Sequence, residues 1–145
     1  MKKNKWLVYC GYAVLILGYI IVANKILAYQ YNLMKNSFDL LPFIIWSIIL
    51  YAVLGVLFGL EKLICEIRKD GSWKINLPKL IFLGIPSFLI SLSILLLHYP
   101  PITFIQQAFF YPIKYLSGES TNFISIVQVA FGYILCTSFF KVKKF

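Results

Sequence analysis

The sequence predicts an all-α integral membrane protein, a four-helix transmembrane bundle with both termini on the cytoplasmic side. Three observations carry this. The 145 residues are 61 % hydrophobic and 13 % charged, with mean hydropathy +0.83; ordinary soluble domains are about 45–50 % apolar and about 25 % charged. The apolar residues fall into four runs whose centres carry no charge, each long enough to cross a ~30 Å hydrocarbon core at ~1.5 Å per residue. The basic residues gather between those runs, mostly at alternate connections.

Residues 1–5 form a basic head with Lys2, Lys3 and Lys5. The first span, about 6–24, follows. It is longer than the ~7–15 residue apolar region of a signal peptide, and Val22-Ala23-Asn24 makes a poor cleavage pattern, so it reads as an uncleaved helix. The connection over 24–40 carries Lys25, Lys35, Asp39, Tyr29 and Tyr31, and its first part is able to continue the helix. Ser37 or Asp39 then serves as N-cap for the second span, about 41–62.

Past residue 60 the pattern changes. Leu60, Leu63, Ile64 and Ile67 recur at helical spacing, while Glu61, Lys62, Glu66, Arg68 and Lys69 fill the other positions. This is an amphipathic extension of the second helix, stopped by Asp70-Gly71. It opens the cytoplasmic basic loop, 61–79, which holds Lys62, Arg68, Lys69, Lys74 and Lys79. Trp73, Ile75 and Leu77 alternate with Ser72, Lys74 and Asn76, a segment suited to the interface with Trp73 as anchor.

Asn76 or Leu77 opens the third span, about 78–98, with Pro78 in its first turn and Pro86 placed to kink it. Pro100-Pro101 ends it. The outer aromatic loop, 99–122, has Phe104, Phe109, Phe110, Tyr111 and Tyr115 and is expected to rest on the membrane surface. The fourth span, about 121–140, leads to a tail with Lys141, Lys143 and Lys144. All 145 residues read as a single four-span domain.

Charge sets the direction. With the N-terminus inside, the inner segments hold three basic residues in the head, five in the loop and three in the tail. The outer segments hold Lys25, Lys35 and Lys114. Eleven against three favours N-in and C-in. Thirteen lysines to one arginine suggests a bacterial source with an AT-rich genome, and hence the cytoplasmic membrane.

Each span also carries a stripe of small or polar residues. In the second, Ser47, Tyr51, Gly55 and Gly59 form one i+4 row, and Gly55 and Gly59 make a GxxxG. In the third, Gly84, Ser87, Ser91 and His98 share a face. In the fourth, Thr121, Ser125, Gln128, Gly132 and Cys136 fall within about 80° at ~100° per residue. In the first, Tyr9, Tyr12 and Tyr19 lie together beside Gly11 and Gly18. Small residues let backbones approach and polar groups bond across helices, which makes Gly55, Gly59, Gly84, Ser87, Ser91, Ser125, Gln128 and Gly132 helix-packing candidates. The GxxxG serves packing within one chain or pairing of two chains.

Chemistry is less visible. No Asp, Glu, Lys or Arg stands in the middle of a span, where ion-coupled transporters hold an ionisable group. His98, the only histidine, lies near the outer end of its helix. Asp39 and Glu119 fall outside and Glu61, Glu66 and Asp70 inside, so the carboxylates do not converge; Glu61 and Glu66 read as partners for Lys62, Arg68 or Lys69 on a solvated face. Cys10, Cys65 and Cys136 form no CxxC. No catalytic, cofactor or metal site is predicted, and the basic residues orient spans rather than bind nucleic acid. The expected function is a non-enzymatic accessory, regulatory or interaction subunit of a bacterial membrane complex. Its partners are the lipid bilayer and another membrane protein or a second copy. The alternative is a small transporter or channel for an uncharged or lipophilic solute, with Tyr51, Ser91 and Gln128 lining the path.

Overall fold

The computed structural model describes residues 3–98 and 122–142. These residues are mostly helical. Helices α1 (Lys3–Ser37) and α2 (Leu41–Ile67) are both long and apolar enough to cross a membrane. Then come strand β1 (Ser72–Ile75), the one-turn helix α3 (Leu77–Lys79), a π-helical turn (Leu80–Gly84) and helix α4 (Ile85–His98). Helix α5 (Asn122–Thr137) and strand β2 (Phe139–Val142) complete the order. Apart from Asn122, the expected outer aromatic loop lies outside the described residues. The chain divides into two compact units, Met1–Trp46 and Ser47–Phe145.

In the first unit, α1 runs unbroken past the predicted end of the first span near residue 24. The reason is local: residues 24–37 contain no Gly or Pro, and Lys25, Leu27, Ala28, Gln30, Leu33, Met34 and Lys35 all favour helix. Phe38 ends it in the left-handed region at φ 56°, its N–H donating to Met34 O at 2.9 Å. Asp39, one of the two expected caps, accepts the N–H of Leu41 on Oδ1 at 3.1 Å. The Ser37 hydroxyl instead donates back to Leu33 O at 2.9 Å. Tyr31 meets Phe43 edge-on at 6.0 Å, and Lys35 stands 4.7 Å over the Tyr31 ring.

The second unit is built on α2, α4 and α5. Ser47 meets Gln128, Gly55 meets Val129 and Tyr133, and Gly59 meets Cys136 and Thr137. Residue numbers rise together along both helices, so α2 and α5 run in the same direction. Helix α4 runs against α5, with Phe88 on Phe131 at 5.2 Å and Gly84 facing Ile134. The π turn immediately precedes Pro86 and is closed by Ile85 N–H on Leu80 O. Proline has no N–H, and its ring crowds the carbonyl four residues back; widening the preceding turn relieves both.

The fold is not purely α-helical. The last helix ends at Thr137, short of the expected span end near residue 140. Phe139 and Phe140 join the first tail residues in a strand that pairs with the expected interfacial segment as an antiparallel ribbon. Ser72 lies opposite Val142, Trp73 opposite Lys141, Lys74 opposite Phe140 and Ile75 opposite Phe139. Asn76 N–H extends the ladder to Ser138 O at 2.9 Å. The same Asn76 caps α3, accepting Lys79 N–H on Oδ1 at 3.2 Å. Two four-residue strands are too short to hold by themselves. They form because the parallel course of α2 and α5 delivers both segments to the same end of the unit.

Candidate interaction site

Two constellations stand out in the second unit, one between helices and one at the ribbon end. Between helices, Gly55 and Gly132 form the closest approach. A Cβ added at Gly55 would fall on the Val129 carbonyl oxygen and 2.8 Å from the Tyr133 nitrogen. At Gly132 it would fall on the Ala52 carbonyl oxygen and 3.0 Å from Ala52 Cα. Gly59 is nearly as tight, 2.9 Å from Cys136 Cβ. Side-chain-free positions on both helices let backbone touch backbone, where contact is close and rigid. One turn or two towards the other end, the Ser47 hydroxyl donates to Gln128 Oε1 at 3.3 Å, with Gln128 only 2 % exposed.

Of the eight packing candidates, Gly55, Gly59, Gln128 and Gly132 are thus brought together on the α2–α5 contact. A Cβ added at Gly84 would meet Leu80 and Ile134 at ordinary distances of 3.6–3.7 Å. Ser87 and Ser91 bond along their own helix, to Leu83 O at 2.6 Å and Ser87 O at 2.7 Å. Ser125 is half-buried, three residues before Gln128. Among the described residues every buried side-chain polar atom has a hydrogen-bond partner. The glycines of the first span differ: nothing lies within 4 Å of a Cβ at Gly11 or Gly18.

At the ribbon end the centre is Glu66. It was expected on a solvated face, yet it is 7 % exposed, because β2 folds over it. Oε1 pairs with Lys69 Nζ, the expected partner, and Oε2 accepts Lys141 N–H at 3.0 Å. The Lys69 ammonium holds the carboxyl below its usual range, the Lys141 N–H adds to this, and burial opposes both. Lys141 also donates through Nζ to Ile67 O and Lys69 O, both at 2.9 Å. The Ile67 carbonyl ends α2 and the Lys69 carbonyl follows two residues on, so the cation complements the helix dipole and satisfies an orphan acceptor. Lys79 Nζ likewise donates to Thr137 Oγ1, tying the end of α3 to the end of α5.

No family model, curated protein or solved structure matches this chain. The site must therefore be judged on its own residues. Among those described, no three His, Cys, Asp or Glu side chains gather as metal ligands. A cleft of about 320 Å³ in the first unit, beside Gln30, Asn36, Ser37 and Asp39, draws on a hydroxyl already bonded to Leu33 O and a carboxylate already used as a cap.

The roles of Lys141 and Ser138 are not evident from the sequence. Ser138 is fully buried and bonds Ile134 O through its hydroxyl at 2.6 Å and Asn76 N–H through its carbonyl. The available signal was the polar–apolar alternation of 72–77, a strand pattern in want of a partner. What the ribbon end presents outward is apolar and basic together: Ile64 and Ile67 are 43 % and 53 % exposed beside exposed Arg68 and Lys69.

Proposed function

We propose that the chain is a four-span protein of the bacterial cytoplasmic membrane, N-in and C-in, acting without catalysis as an accessory or interaction subunit. The observation that carries this is the fastened extension of α2. Glu66 and Lys141 hold its last turn to β2, and Ile64 and Ile67 remain exposed on it. A surface helix with apolar residues at i and i+3, kept rigid by its own C-terminal strand, is an arrangement suited to docking another protein. The small and polar residues of α2 and α5 meet one another, which supports packing over a solute path at those positions.

An affinity pull-down from native membranes in mild detergent tests this, comparing the natural chain with Ile64→Glu/Ile67→Glu. The expected result is a stoichiometric membrane partner recovered with the natural chain and lost with the variant, while membrane localisation stays unchanged. Recovery of the same partners by both chains removes the docking surface. A chain that purifies alone and passes uncharged solutes in vesicles favours the transporter or channel reading.

A further inference from the structure

The pleat of the ribbon puts Trp73, Ile75, Phe139 and Lys141 on one face and Ser72, Lys74, Phe140 and Val142 on the other. On the first face Trp73, Ile75 and Phe139 are 49 %, 50 % and 40 % exposed. Ile75 and Phe139 are direct cross-strand partners, and Lys141 stands 5.2 Å over the Trp73 ring. The exposed apolar surface continues along the chain through Leu77, Ile81, Phe82 and Ile85 on α3, the π turn and α4. Around it, 61–79 and β2 hold six basic residues against Glu61, Glu66 and Asp70. Glu66 is already neutralised by Lys69, whereas Arg68 and Lys74 are exposed.

We infer that this face of the ribbon is a lipid-binding surface that lies at headgroup depth and favours anionic phospholipid. A tryptophan with a cation over its ring, beside a short apolar patch, fits the amphipathic boundary of a bilayer, which accepts the indole body and its polar edge together. The apolar exterior of the following helix is continuous with the patch, so the same solvent covers both. The basic excess complements the negative surface of anionic lipid. The inference rests on the membrane reading of the chain and adds which face meets lipid and which headgroup charge it prefers.

The full chain carries three tryptophans, and Trp6→Phe/Trp46→Phe leaves Trp73 as the sole emitter. Reconstituted into phosphatidylcholine vesicles containing phosphatidylglycerol, Trp73 is expected to be quenched more by lipid brominated near the glycerol than near the chain ends. Brominated phosphatidylglycerol is expected to quench more than brominated phosphatidylcholine. The preference should fall roughly fivefold in Arg68→Gln. Quenching by aqueous iodide and not by lipid overturns the inference. So does shielding from both with self-association, which means a protein covers the face. A chain bearing only Trp46, in α2, separates the two levels: lipid quenching of Trp46 without Trp73 removes this inference alone, and quenching of neither removes the membrane reading as well.

Discussion

The Glu66 carboxylate accepts the backbone N–H of Lys141 at 3.0 Å, joining residues 75 apart in the chain. In the same contact the Lys141 ammonium covers the last carbonyl of α2, Ile67 O, and the Lys69 carbonyl in the turn that follows. One residue of β2 thus answers both a buried acid and a helix end. Lys141 serves each group with a different part of itself, the main chain for the acid and the side chain for the helix.

This contact has a pH dependence with a definite sign. Glu66 lies beyond the predicted span, and its folded carboxyl titrates below the ordinary value of 4.5. Its contribution to stability is complete above pH 4.5 and is lost as pH falls through the lowered folded value. In detergent, the Tm gap between the natural chain and Glu66→Gln should be constant near neutral pH and close below pH 4.5. A gap that widens on acidification contradicts the pairing.

Gly55→Ala and Gly132→Ala should each destabilise by about 3 kcal/mol or more, because the new methyl meets a backbone carbonyl that has no rotamer to yield. Gly11→Ala and Gly18→Ala enter open space, so they should be neutral or stabilising by up to about 1 kcal/mol through helix propensity. Thermal unfolding of the four variants in one detergent makes the comparison.

Ser47 and Gln128 invite a double-mutant cycle, with Ser47→Ala and Gln128→Leu as the single changes. A coupling of about 0.6 kcal/mol is typical of hydrogen bonds between membrane helices. Additive losses would show that the 3.3 Å contact contributes nothing.

Native thiols test the orientation. Cys65 is exposed on the α2 extension and Cys136 is buried. A membrane-impermeant maleimide should label Cys65 in inverted vesicles and not in right-side-out ones, with Asn36→Cys/Cys65→Ser giving the opposite pattern. Labelling of Cys65 from outside reverses the proposed topology.

Much of the helical plan was legible beforehand. Hydropathy located α1 and α2, Asp39 announced a cap, and the i+4 row from Ser47 to Gly59 marked the face of α2 that meets α5. The polarity after Ala23 marks the expected end of the first span, while the helix propensity of the residues that follow carries α1 on to Ser37, further than the first part of the connection. Pro86 was read as the site of a kink, and its neighbour upstream is a π turn.

What the sequence by itself determined is local: which stretches are helical, where apolar surface lies, and which small residues share a face. These follow from composition and a 3.6-residue period within single segments. Only the tertiary structure decided that Gly55 lies against Val129 and Tyr133, that residues 139–142 form a strand and that Glu66 is buried. Such pairings join residues about 65 or more positions apart, and nothing within either partner names the other. The common direction of α2 and α5 is what brings them together, and that direction is a property of packing.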